Sequence, residues 1–338
     1  MASRRPSQLV IPRPGTTTNE DALPSPIRAP PEADMTKELG CLLPKASYLS
    51  TKHGQAAYYV YPPTEPLPAD QPPLRVLMVH GVQTSALGLQ PLATALRARF
   101  PAAHIALVDL WGHGLSDTPL APHVASLFHG LLDAVLTALA WQQEPIRLVG
   151  FSFGGSLAAG YAALHPERVD SVALIAPAGL MSFSIFPEAV QNRYGLTGAA
   201  DDVDEEGTLD FVIEFLEGGK LSVPVDWRDR VDRGEVVAEA VRDWEMREHP
   251  GHAGSVVAIF RDGGVFDNHA AFRALVQTLG ADKCLGVLGE LDEVCSKQYL
   301  LDVGFSNIIV ILQVGHAVVR ERAAQVATSI ENFWRALY

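Results

Sequence analysis

Cysteine is scarce: the 338 residues hold three, Cys41, Cys284 and Cys295, set far apart and odd in number. That pattern supports no disulfide framework, and no Cys-x-x-Cys pair is present to hold zinc. Buried or idle thiols in a reducing compartment are the expectation. Positive charge is also short, with 26 Lys and Arg against 39 Asp and Glu and a formal net charge of −13. Nucleic acid and anionic membrane surfaces select basic patches, so neither is expected as the main partner. Gly, Pro or charge interrupts every apolar run well short of the ~20 residues of a membrane span, so no integral span is expected. The opening MASRRPSQLVIPRPG has no continuous apolar stretch of the signal-peptide kind. A cytoplasmic, intracellular protein fits these absences. Arg4, Arg5 and Arg13 leave an organellar address open, although Glu20 and Asp21 follow closely. No internal repeat is found, and nothing in the sequence fixes an oligomeric state.

Hydrophobic residues are 48% of the chain and charged residues 19%, enough for a large buried core. Residues 1–45 are rich in Pro, Ser, Thr and charge and carry no sustained period, which predicts a disordered N-terminal arm. As an alternative, Leu39–Leu43 packs onto the domain as a short lead-in. From Ala46 onward the pattern changes. SYLSTKHG and AAYYVYPP read as two strands joined at His53-Gly54. LRVLMVHG, HIALVDLWGHG, IRLVGF and VDSVALIAPAG are apolar runs of buried strands. Helical segments alternate with them, which predicts an α/β architecture with a mostly parallel sheet and helices on both faces. The alternation stops near Gly179. Residues 181–268 hold helical pieces, an acidic loop DDVDEEG and no buried-strand signal. Alternation resumes over 269–338. The expected organisation is a core over 46–180 and 269–338, interrupted by a helical cap or lid over 181–268.

The run RLVGFSFGGSLAAGYAALHPERV places Ser152 between Gly150 and Gly154, where a strand passes into an Ala-rich helix. A Gly-x-Ser-x-Gly in that setting is a nucleophile elbow. The following helix begins at the serine, so its free N–H groups favour developing negative charge. A serine hydroxyl needs a base near neutral pH. His316, after Gly315 at the end of the last strand, would be carried to the same sheet edge as Ser152. A carboxylate that fixes the imidazole should precede it in the chain, and the loop VLGELDEVC offers Asp292, with Glu290 and Glu293 left open. Two oxyanion donors are required. The backbone N–H of Phe153 is one candidate and that of Val82, after His80-Gly81, is the other. His80 reads as a structural histidine of that loop.

LMVHG, DLWGHGLSD, GFSFGGS, LHPERV, GELDEV and VGHAVVRE occur in the order and spacing of the α/β-hydrolase superfamily, and resemble its lipase, esterase and epoxide-hydrolase-like branch with a helical cap. The resemblance covers about residues 46–338 and is weakest in the insertion. It implies a Ser152, Asp292 and His316 triad with Val82 and Phe153 at the oxyanion hole. A serine rather than an aspartate at the elbow argues against the dehalogenase and epoxide-hydrolase chemistries and for acyl transfer. PAGL and GHAVVRER bring monoacylglycerol-lipase-like members to mind. Cys295 stands where many relatives have Pro.

The expected function is a serine hydrolase cleaving an ester-type bond of a small, hydrophobic substrate through an acyl-enzyme, without cofactor. Carbon–carbon hydrolysis, acyl transfer with the same triad, or a non-catalytic ligand receptor are the alternatives. No metal site is expected. Pro250 and Gly251 break the spacing of His249 and His252, and DDVDEEG lacks a calcium-loop pattern. Asp109, Gly112, His113, Gly114 and Ser116 read as a structural loop beside the site. Met181, Phe183, Phe186, Trp227, Trp244 and Phe260 are candidates for an acyl pocket.

Overall fold

The computed structural model describes residues 11–15, 24–67, 73–197 and 203–337. Eight strands form one sheet: β1 (Ser47–Thr51), β2 (Gly54–Tyr61), β3 (Arg75–Val79), β4 (His104–Val108), β5 (Ile146–Phe151), β6 (Val169–Ile175), β7 (Cys284–Gly289) and β8 (Asn307–Ile311). The spatial order is β1-β2-β4-β3-β5-β6-β7-β8. The β1–β2 and β2–β4 pairs are antiparallel and all the others parallel. Parallel strands need helical crossovers, and the sequence supplies them on both faces. On one face pack α3 (Ala125–Ala138) and α4 (Phe153–Leu164), on the other α2 (Gln90–Arg99) and α13 (Ala323–Ala336). Leu148 of β5 joins the first apolar cluster and Val149 the second. Burial on both sides is why the strands read as unbroken apolar runs.

After β3 the chain crosses first to β4 and then returns past β3 to β5. The carboxyl ends of β3 and β5 therefore flank the point where the winding reverses, which is where open α/β sheets leave a crevice for ligands. The loops after β3 and β5 carry Val82 and Ser152.

The expectation of a disordered arm over 1–45 needs correction for residues 24–45; residues 1–10 and 16–23 lie outside the described residues. Helix α1 (Glu32–Leu39) is formed there, with Met35 and Leu39 buried. Eight residues are too few for a helix to persist alone, so tertiary contacts must hold it. Glu32 accepts the Ala46 N–H at 2.9 Å, and Asp117 accepts the Ala29 N–H at 3.0 Å. Ile27 bridges to Thr118. Proline-rich composition hid this order because the anchoring partners lie far away in sequence.

Between β6 and α10 (His269–Leu279) come α5 (Glu188–Arg193), α6 (Glu205–Glu217), α7 (Trp227–Asp232), α8 (Ala238–Glu248) and α9 (His252–Asp262), with no strand among the described residues of this stretch. Of DDVDEEG, Asp201 and Asp202 lie outside the described residues. Val203 and Asp204 lead into α6, which begins at Glu205: Asp204 caps it, its side chain accepting the Gly207 N–H at 2.9 Å. An aspartate at a helix N-cap satisfies a free N–H and complements the dipole, which a loop assignment overlooked. Six phenylalanines of this stretch, Phe183, Phe186, Phe211, Phe215, Phe260 and Phe266, pack together, with Phe183 stacked on Phe266 at 4.3 Å. Trp227 and Trp244 stand apart from them, in a groove beside α1 with Asp34 and Lys37. After β7 the chain forms α11 (Lys297–Asp302), and after β8 the short α12 (Val318–Glu321).

Candidate active site

Ser152 sits at φ +53°, ψ −119°, between β5 and the first residue of α4. A non-glycine residue held at positive φ costs on the order of 1–3 kcal/mol, so the surroundings must impose it. They do so by close approach. A Cβ on Gly154 would run into the carbonyl oxygens of Val79 and His80, and one on Gly150 into that of Gly154. The two glycines thus let β3, β5 and α4 converge beneath the serine.

His316 Nε2 lies 2.9 Å from Ser152 Oγ. Its Nδ1 lies 3.1 and 3.2 Å from the two oxygens of Asp292. Asp292 Oδ1 also accepts the N–H groups of Val294 and Cys295, at 2.8 and 3.2 Å. The Asp292 side chain is 0% exposed while that of His316 is 32% exposed, so the imidazole is the member of the pair open to solvent. Glu290 and Glu293, the other acids of this loop, are exposed, and Glu290 instead accepts the Gln313 N–H at 2.9 Å. Phe153 begins α4, so its N–H has no intrahelical acceptor. Among the described residues neither it nor the Val82 N–H has a hydrogen-bond partner.

The loops beneath are fixed by buried polar groups. His80 Nδ1–H donates to the Gly81 carbonyl at 2.6 Å, and its Nε2 accepts the Leu110 N–H at 2.9 Å. Both nitrogens are used by backbone, and burial pushes the imidazole down to about 4. Asp109 accepts from Ala86 N, Leu115 N and Tyr59 Oη at 2.7–2.9 Å, which ties the loop after β3 to the loop after β4. Burial pushes its carboxyl up to about 6. His113 and His252 direct their Nδ1 atoms at the carbonyls of Trp111 and Gly112, at 3.0 and 2.9 Å.

His249 and His252 do not form a pair of ligands. His252 instead meets Glu245 of α8 at 3.1 Å. His113, Glu245 and His252 bring one potential ligand atom each within 4.8 Å of one another, the one such grouping among the described residues. Within this group His113 Nε2 and both carboxylate oxygens of Glu245 are buried without a hydrogen-bond partner among the described residues. The two Nδ1–H bonds go to carbonyls, and burial holds Glu245 well above the ordinary carboxylate range. The carboxylate was missed from sequence because it lies seven residues before His252 and on a different helix.

Three further residues at the site had no sequence signal. Gln83, next to Val82, has φ +73° and is buried. Its Nε2 donates to Glu217 Oε1 at 2.7 Å, and Glu217 pairs with Arg242 at 2.9 Å.

The family model for the α/β hydrolase fold matches residues 75–199. A lipase of Mycobacterium tuberculosis, LipV, is 36% identical over 233 residues, which covers 62% of this chain and 83% of that protein. The chain belongs to the α/β-hydrolase fold family. A monoacylglycerol lipase of Xenopus laevis is 37% identical, but over 79 residues, 23% of each protein. The matches to the first curated relatives span only about a quarter of their lengths, 23 to 29%. Among solved structures, an enol-lactonase from Burkholderia xenovorans superposes with a TM-score of 0.59 at 17% identity, over 86% of this chain and 100% of that one. At that identity the likeness is one of fold. No helix among the described residues is long and apolar enough to cross a membrane.

Proposed function

We propose that the protein is a serine hydrolase that cleaves esters of hydrophobic acids through an acyl-enzyme. The observation that carries this is the continuous hydrogen-bonded line from Ser152 Oγ through His316 to buried Asp292, ending on a strained elbow. His316 Nε2 takes the Ser152 proton as Oγ attacks the ester carbonyl. The free N–H groups of Val82 and Phe153 hold the oxyanion. The tetrahedral intermediate collapses, His316 hands its proton to the leaving alcohol, and the acyl group stays on Ser152. Water then attacks, its proton going to His316, and the acid is released as Ser152 is reprotonated. Asp292 remains ionised, fixes the imidazole tautomer and stabilises the imidazolium.

The helical segment 181–268 acts in this reading as the cap. Its phenylalanine cluster supports an apolar acyl group, and the lipase names of the relatives agree with that choice. The test is a p-nitrophenyl ester series from acetate to laurate, with wild type beside Ser152→Ala. Turnover should rise from acetate toward medium chains and fall by roughly 10⁴-fold or more in the variant. A clear preference for small polar esters removes the apolar pocket, and turnover surviving in Ser152→Ala removes the mechanism.

A further inference from the structure

Glu217 is the last residue of α6, and local electrostatics disfavour it there. A helix C-terminus carries partial negative charge, which opposes an acidic side chain. The position is also sealed: the Glu217 side chain is only 5% exposed, and that of Arg242 16%. Burying a carboxylate at the negative end of a helix is costly unless specific partners offset it. Two are present. Arg242 of α8 stands 2.9 Å away, and Gln83 of the loop after β3 donates to the same Oε1 at 2.7 Å. Glu239 reaches the other side of Arg242, at 3.6 Å. Burial raises the Glu217 carboxyl, while Arg242 and Gln83 pull it back.

Gln83 is the more telling partner. It follows Val82 directly, and its left-handed backbone is an unfavourable state for a residue with a side chain. The loop is held from beneath by Asp109 at Ala86 and by His80 at Gly81. Neither of these contacts fixes the Val82–Gln83 peptide from above. The Gln83 side-chain amide reaches across to Glu217 at 2.7 Å, an anchor on the helical segment rather than on the sheet core.

We propose that Glu217 is a positioning residue that couples the helical segment to the oxyanion loop, holding Val82 in its donating orientation through Gln83 while Arg242 balances the charge. The inference rests on the reading of Val82 as an oxyanion donor. It implies that displacement of α6 would loosen the donor, so that the donor is fully in place only with the segment seated.

The test compares Gln83→Ala, Glu217→Ala, their double variant and Glu217→Gln on an ester substrate and on a fluorophosphonate, whose phosphoryl oxygen needs the same donors. Gln83→Ala and Glu217→Ala should each lower kcat and the labelling rate by on the order of tenfold, with KM little changed. The double variant should be no worse than the poorer single one, because both remove one linkage. Glu217→Gln keeps an Oε1 acceptor and should restore most of the rate. A purely structural tie would raise KM or lower the melting temperature without moving the labelling rate. Independent, multiplying losses in the double variant, or labelling at the wild-type rate in both single variants, would overturn the proposal. Should Glu217→Ala fail to fold, Gln83→Ala and Glu217→Gln still decide it. Wild-type protein that is not labelled at Ser152 would instead defeat the underlying reaction, so the two failures are distinguishable.

Discussion

At the scale of single residues, Asp292 carries two tasks at once. Its two oxygens meet His316 Nδ1, while Oδ1 also accepts two loop amides, so one carboxylate both holds the imidazole and closes its own turn. Asparagine at this position keeps an Oδ1 for the Val294 and Cys295 N–H groups. It presents an amide or a neutral carbonyl to the imidazole and can no longer stabilise an imidazolium. Asp292→Asn should therefore fold with a near-normal melting temperature and lose roughly 10³–10⁴-fold in kcat. A loss below tenfold would move the acid role to another residue, and Glu290 and Glu293, both exposed, are poorly placed to take it. Cys295 shares that turn through its N–H; its thiol is buried, and burial raises it far above its ordinary range.

At the scale of elements, what could be read in advance divides by distance along the chain. Strands β3 to β7 were legible because burial on both faces writes a continuous apolar run into each, while the edge strand β8, with Ile309 exposed, was legible from its apolar run alone. The Ser152 elbow was legible because strand, turn and helix are contiguous. His316 and Asp292 were placed by another local fact, that each follows a strand whose carboxyl end lies at the same edge. The pairing of Gln83 with Glu217, by contrast, spans 134 residues and depends on how α6 settles over the loop. No periodicity in either segment announces it. Helix α1 was missed for the same reason: its propensity is unremarkable, and its order comes from Met35 and Leu39 packing away from solvent and from Glu32 reaching Ala46. The acidic start of α6 was a readable signal, since Asp204 stands three residues before the N–H that it caps.

At the scale of the whole molecule, the buried imidazoles dominate the response to acid. Burial pushes His80 and His123 down to about 4 and His252 to about 3, and lowers His113, His129 and His249 as well. From pH 6.5 downward the unfolded chain takes up protons on these six that the folded chain refuses, so stability is lost as pH falls. Asp109, Glu217 and Glu245 act in the opposite sense, because their raised folded values let the native state bind protons that the unfolded chain has released. The imidazoles outnumber them. Stability should therefore fall, on balance, as the pH drops below about 6. Urea midpoints measured across that range should decline steeply; a flat profile would mean that these histidines reach water in the folded protein.

The most direct measurement is the intact mass of the protein after exposure to a fluorophosphonate, followed by peptide mapping, for wild type and Ser152→Ala. If Ser152 is the activated nucleophile, a single adduct per chain forms on the peptide containing Ser152, and none forms in the folded variant. A well-folded wild type that takes up no adduct, or takes it up equally at another serine, would contradict the claim that Ser152 is an activated nucleophile.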